Sequence, residues 1–76
     1  MEVQELIVNK MKSVIPNLPH DWAEQVADRM GIRKEVVWNY ARGIRGTRNK
    51  TKALEILRHM NNLEIEFRKA IEKQIS

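Results

Sequence analysis

Val3, Leu6, Ile7, Met11 and Val14 recur at three- and four-residue steps, the spacing that gathers side chains on one face of a helix. The pattern predicts a first helix from about Glu2 to Ser13. It is ended by Ile15-Pro16-Asn17-Leu18-Pro19, because each proline disfavours helix in the residue before it. Asp21 followed three residues later by Glu24 has the form of a capping box. Trp22, Val26, Ala27 and Met30 then keep helical spacing up to Gly31, a residue suited to a left-handed cap. The second helix is therefore short, about 21–30. A third begins near Arg33 or Lys34 and stops at Gly43, so only two or three residues join it to the second. Helices joined so tightly cross at a steep angle rather than lying antiparallel. Beyond the loop Ile44 to Lys50, a long pattern runs from Asn49 or Thr51 to the C-terminus. It carries Leu54, Leu57, Met60, Leu63, Phe67, Ile71 and Ile75 on one side. Asn61-Asn62 are weak helix formers at which it could break; one continuous helix is expected. The fold class is all-α, with four or five helices.

Length limits what this pattern can build. A chain of 76 residues makes a single domain, and one of that size buries only about 60–65% of the surface it exposes when unfolded. The core is thin, and a partner subunit would reinforce it. With no cysteine there is neither a disulfide framework nor a thiolate metal site. His20 and His59 stand far apart without metal-ligand company, and no nucleophile-and-base arrangement or glycine-rich phosphate loop is present. No catalytic residue, metal, cofactor or small-molecule ligand is expected. Met1-Glu2-Val3-Gln4-Glu5 is acidic where a secretory signal is basic, and no apolar run approaches the ~18 residues of a membrane span. The expectation is a soluble cytoplasmic protein with no membrane partner.

Charge changes the picture by its placement. From Arg33 to Lys52 there are seven basic residues (Arg33, Lys34, Arg42, Arg45, Arg48, Lys50, Lys52) against one acid, Glu35. That segment carries +6 of a total of +4, so the remaining fifty-six residues sum to −2. The basicity marks one face of the molecule and suits a polyanion. On the third helix, Val37, Tyr40 and Ala41, followed by Ile44, read as the buried side. Lys34, Glu35, Val36, Trp38, Asn39 and Arg42 are left facing outward. An exposed helix face with Asn, Arg and Lys can offer donors and acceptors to base edges in a major groove.

The stretch Val26-Ala27-Asp28-Arg29-Met30-Gly31-Ile32, with Val37 and the close from Tyr40 to Gly43, resembles the helix-turn-helix of the lambda-repressor/Cro-like (XRE-type) family of phage and bacterial regulators. The resemblance covers about twenty-five residues closely. It implies a four- to five-helix DNA-binding domain at about 1–60 with its motif at about 21–43, and a C-terminal extension at 61–76. It also implies a nucleoid-associated transcriptional regulator whose helix 33–42 lies in the major groove while the second helix crosses the backbone. By that likeness Lys34, Glu35, Val36, Trp38 and Asn39 face bases, and the amides near Asp21 to Ala23 approach a phosphate. Arg33 stands where the family has a capping Ser or Thr, so the third helix is expected to start uncapped, at a cost of about 1 kcal/mol. Arg33 is then free for phosphate.

Asn39, Arg42 and Lys34 are read as base or phosphate contacts, and Arg45, Arg48 and Lys50 as phosphate contacts flanking the groove. Glu35 has two readings: a favourable charge at a helix N-terminus, or an acceptor for a cytosine amine. Trp38 has two as well, packing against a neighbouring helix or meeting DNA, whereas Trp22 and Tyr40 read as core. In the tail, Ile56, Met60, Leu63, Phe67 and Ala70 step by fours and threes in the manner of a short coiled-coil seam. Leu63, Phe67, Ile71 and Ile75 are the expected homodimer interface, and a dimer would favour a palindromic duplex. The alternative is a protein-interaction module, antitoxin-like or an assembly adaptor, that keeps the helix-turn-helix as a scaffold.

Overall fold

The computed structural model describes residues 3–44 and 49–75. Among them are four α-helices: α1 (Val3–Val14), α2 (Trp22–Met30), α3 (Lys34–Arg42) and α4 (Lys50–Ile75). A 3₁₀ turn, Ile15–Asn17, follows α1 directly and carries Pro16 near its start, where the missing N–H is no loss. The described residues contain no strand, and none of their helices is long and apolar enough to cross a membrane.

The ends of α2 and α3 are built alike. Gly31 and Gly43 have φ of 68° and 69°, the left-handed region that glycine enters without a Cβ penalty. Behind each glycine the chain closes a double hydrogen bond. The Ile32 amide donates to the Ala27 carbonyl at 3.0 Å and the Gly31 amide to Asp28, while Ile44 donates to Asn39 at 3.1 Å and Gly43 to Tyr40. This is the Schellman arrangement, which satisfies carbonyls that the last helical turn leaves open. The starts of the helices differ. At α4 the Asn49 side chain accepts from the Lys52 amide at 3.0 Å, an N-cap. At α3, Arg33 is extended (φ −81°, ψ 146°) and no side chain caps the helix. At α2 the expected capping box does not form. Asp21 sits at φ −98°, ψ 27°, outside the extended region a capping side chain needs, and its carboxylate accepts from the Gln25 side chain at 2.8 Å instead.

The core joins Ile7, Met11 and Val14 of α1, Leu18, then Trp22, Ala23, Val26 and Ala27 of α2, Val37, Tyr40 and Ala41 of α3, and Ala53, Ile56, Leu57, Met60 and Leu63 of α4. Three parts of the expected apolar pattern are corrected: Ile44, expected on the buried side of α3, follows the Gly43 turn and is 43% exposed, and the other two lie on α1 and α4. On α1 the buried stripe is Ile7, Val8, Met11 and Val14, while Val3 and Leu6 are half exposed (53% and 54%). Leu6 lies at the margin of the stripe and Val8 completes it beside α3, where Gly43 passes within 3.4 Å of Val8 Cγ1 at the site a Cβ would occupy. On α4 the inward positions early in the helix are Ala53 and Ile56, and Leu54 faces out. The helix runs unbroken through Asn61-Asn62.

Candidate nucleic-acid interface

The candidate interface is built on α3, which packs on both α1 and α2. Val37 is fully buried, and Tyr40 and Ala41 lie beside it on the inward side. A nine-residue helix makes two and a half turns at 3.6 residues each, so fixing those three residues inward turns the opposite side of the helix outward. Lys34, Glu35 and Arg42 are exposed, with Arg33 exposed just ahead of them. Asn39 is half-buried. Val36, expected to face outward, is also half-buried and packs against the core. It lies one residue before Val37 and four before Tyr40, so it shares the edge of the inward stripe and is a poor candidate for a base contact.

Trp38 is half-buried and packs against a neighbouring helix, one of the two readings left open for it. It packs against the core on one side, where its ring meets that of buried Trp22 edge to face, with centroids 4.9 Å apart and planes at 63°. On the other side Arg42 places its guanidinium carbon 5.2 Å from the Trp38 centroid, over the ring.

The electrostatics of this face follow from which charges are paired. Among the described residues, the ion pairs are Arg29–Glu66 at 2.8 Å and Arg68–Glu64 at 2.9 Å. Neither touches α3. Arg33, Lys34 and Arg42, on or next to α3, and Lys50, at the start of α4, thus have no carboxylate partner among the described residues. Lys50 is exposed in the first turn of α4, and Lys52, half-buried, follows it. Arg45 and Arg48 lie outside the described residues. The phosphate approach expected at the start of α2 loses one donor there, because the Trp22 amide already donates to the Pro19 carbonyl at 3.1 Å. The Asp21 carboxylate adds a negative charge at that end.

The ion pair that no sequence pattern announced is Arg29–Glu66, thirty-seven residues apart. Both Arg29 guanidinium nitrogens that reach it donate, at 2.8 and 3.2 Å, tying the end of α2 to α4. The hydrogen bond from Arg29 holds the Glu66 carboxyl below its usual range, and the same bond raises the Arg29 guanidinium. The four expected dimer-interface residues also separate. Leu63 is 4% exposed and belongs to the chain's own core, so it is withdrawn from that list; Phe67 is half-buried, and Ile71 and Ile75 are exposed. Among the described residues no cluster of His, Cys, Asp or Glu could hold a metal ion. Compared with protein-family models, curated proteins and solved structures, the chain matches none.

Proposed function

We propose that this chain is a lambda-repressor/Cro-like helix-turn-helix domain that binds double-stranded DNA with α3 in the major groove and acts as a transcriptional regulator. The observation that carries the reading is the division of α3: Val37, Tyr40 and Ala41 inward, Lys34, Glu35 and Arg42 toward solvent and Asn39 half-buried, with the cations lacking a carboxylate partner among the described residues. The local chemistry of α3 adds to it. Arg33 and Lys34 stand at the positive end of the helix dipole with no capping side chain, an arrangement that lowers helix stability. Such departures from local preference concentrate where a ligand supplies the missing complement, and a phosphate beside that helix start would supply it.

In this reading Lys34, Glu35 and Asn39 face base edges, and Arg33, Arg42 and Lys50 contact phosphate. Arg45 and Arg48 join them as proposed phosphate contacts from the loop. Selection from a random duplex library at physiological salt tests it, and the expected result is a defined recognition sequence. Asn39→Ala should then relax base preference at one position, worth about 1–3 kcal/mol of discrimination. Equal binding to all duplexes, or a preference for double-stranded RNA, whose major groove is too narrow for a helix, would exclude the proposal.

We further propose a homodimer formed along the exposed tail of α4 by Phe67, Ile71 and Ile75. It would set two α3 helices about 34 Å apart on a palindromic site. Ile65, Ile71 and Ile75 are large apolar side chains open to solvent on this helix, and the adaptor reading would place another protein there. Sedimentation at tens of micromolar separates the two: a dimeric mass that Ile71→Glu makes monomeric supports self-association, and a monomeric wild type rejects it.

A further inference from the structure

The outer face of α3 carries a three-part stack. Trp22, in the first turn of α2, is 4% exposed and fixed in the core. Its ring meets the half-buried Trp38 ring edge to face at 4.9 Å. Arg42 lies four residues beyond Trp38, hence on the same side of the helix, and sets its guanidinium carbon over the Trp38 ring at 5.2 Å. Buried ring, half-buried ring and exposed cation follow one another outward, each positioned by the one beneath.

A guanidinium held over an indole is attracted by the ring quadrupole, and it keeps in-plane N–H donors that match two oxygens of one anion. A long cationic side chain on an open helix surface ordinarily loses much rotamer freedom when an anion fixes it. Resting on Trp38 removes part of that freedom beforehand. Arg42 has no carboxylate partner among the described residues, so its donors are not already taken by one.

We infer that Trp38 is a positioning residue, the shelf that holds the Arg42 guanidinium ready for a bidentate contact with a DNA backbone phosphate, and that Trp22 anchors the shelf. A phosphate is favoured over a base because Arg42 is the last residue of α3, whereas base edges are met by the N-terminal part of such a helix. Trp38 therefore acts through Arg42 and reads no base itself. The inference rests on the DNA-binding proposal.

The test titrates the selected duplex against salt with the wild type, Arg42→Ala, Trp38→Leu, Trp38→Phe and the double variant Trp38→Leu/Arg42→Ala. Leucine keeps apolar bulk against Trp22 but has no ring face, and phenylalanine keeps the face. Arg42→Ala should lower affinity about tenfold, the scale of one charge-assisted hydrogen bond. It should also reduce the slope of log K against log salt by about 0.9. Trp38→Leu should reproduce both changes, Trp38→Phe should recover most of the slope, and the double variant should be no worse than Arg42→Ala. If Trp38 only packs, Trp38→Leu lowers the melting temperature and leaves the slope at its wild-type value, which overturns the shelf. A Trp38→Phe variant as weak as Trp38→Leu overturns it too, since the indole N–H would then be the contact. A wild type that binds no duplex removes the parent reading together with this one, whereas duplex binding with an unchanged slope in Trp38→Leu removes this one alone. Nuclear magnetic resonance of the free wild-type protein does not depend on any variant folding. The Arg42 Nε–H proton should be moved upfield by the indole ring current, and an ordinary position would end the inference.

Discussion

The two halves of α4 share one apolar rhythm and meet different fates. From Lys50 to Leu63 the helix buries Ala53, Ile56, Leu57, Met60 and Leu63 against α1 and α2. From Glu64 to Ile75 it buries none of its side chains, although Ile65, Phe67, Ile71 and Ile75 continue the supply of large apolar residues. The cause is length. Twenty-six residues span about 39 Å at 1.5 Å per residue, and the molecule measures 43 × 27 × 17 Å. The rest of a chain this small has too little material to cover such a rod. A compact 76-residue domain has a radius of gyration near 11 Å, against 12.7 Å here. Between the halves lies a short polar zone. Asn17 donates weakly to Glu64 at 3.5 Å, and Arg29 holds Glu66, so the turn after Leu63 is tethered at the surface. A helix's apolar stripe thus records what it could bury, and the neighbouring elements decide what it does bury.

The sharpest way to break this comparison is to truncate one side chain in each half. Met60 is 0% exposed, and Met60→Ala should cost about 2–5 kcal/mol. In a domain whose total stability is about 5–15 kcal/mol, that unfolds a large fraction of molecules or lowers the denaturant midpoint steeply. Ile71→Ala, measured in dilute monomer, should stay within about 0.5 kcal/mol. Equal losses at the two sites would mean that the second half is covered after all. At the boundary, Phe67→Ala should fall between them. Its ring is half-buried, so about 80 Å² of apolar surface at 25 cal/mol per Å² gives roughly 2 kcal/mol.

How far the sequence disclosed this difference depends on the kind of interaction. The four helices, the glycine stops at Gly31 and Gly43 and the inward set Val37, Tyr40 and Ala41 were readable, because each rests on local backbone chemistry or on a 3.6-residue period. The margins of stripes were not. Leu6 against Val8 and Leu54 against Ala53 differ by a small rotation about a helix axis, and only the position of the neighbouring helix chooses between them. Asp21 and Glu24 match a capping pattern, but the tight turn from Pro19 sets the Asp21 backbone where its carboxylate cannot reach the helix start. Leu63 and Ile71 repeat one residue class at helical spacing, and which of them is core depends on where α1 and α2 end. For the interface, sequence placed Lys34, Glu35 and Arg42 on the surface, where the structure also has them, and put Val36 on the wrong side of a stripe edge. The Trp22–Trp38 contact is tertiary, and nothing local encodes it.

A substitution at the junction sharpens the comparison from the opposite direction. Asn62 is exposed in mid-helix, where asparagine is less favourable than alanine by about 0.5 kcal/mol. Asn62→Ala should raise stability by about that amount, readable as a higher denaturant midpoint with an unchanged slope. If the helix were two independent segments meeting here, the same change would leave the unfolding of the first half untouched.

The smallest expected effect concerns the tether itself. Arg29–Glu66 is an exposed pair, with side chains 34% and 57% accessible, and pairs of that kind contribute little and are screened by salt. Its sign with pH is nevertheless fixed. Because the Arg29 hydrogen bond lowers the Glu66 pKa in the folded chain, the stabilisation is fully present above the unfolded carboxylate pKa. It is lost as pH falls through the lower folded value. Glu66→Gln should therefore lower the melting temperature slightly at neutral pH and low salt. The gap should close both on acidification below the carboxylate range and on adding salt. Glutamine keeps the same side-chain carbons, so a gap that persisted at low pH would show that the difference does not come from the Glu66 charge, and the ion pair would then not be what tethers this part of α4.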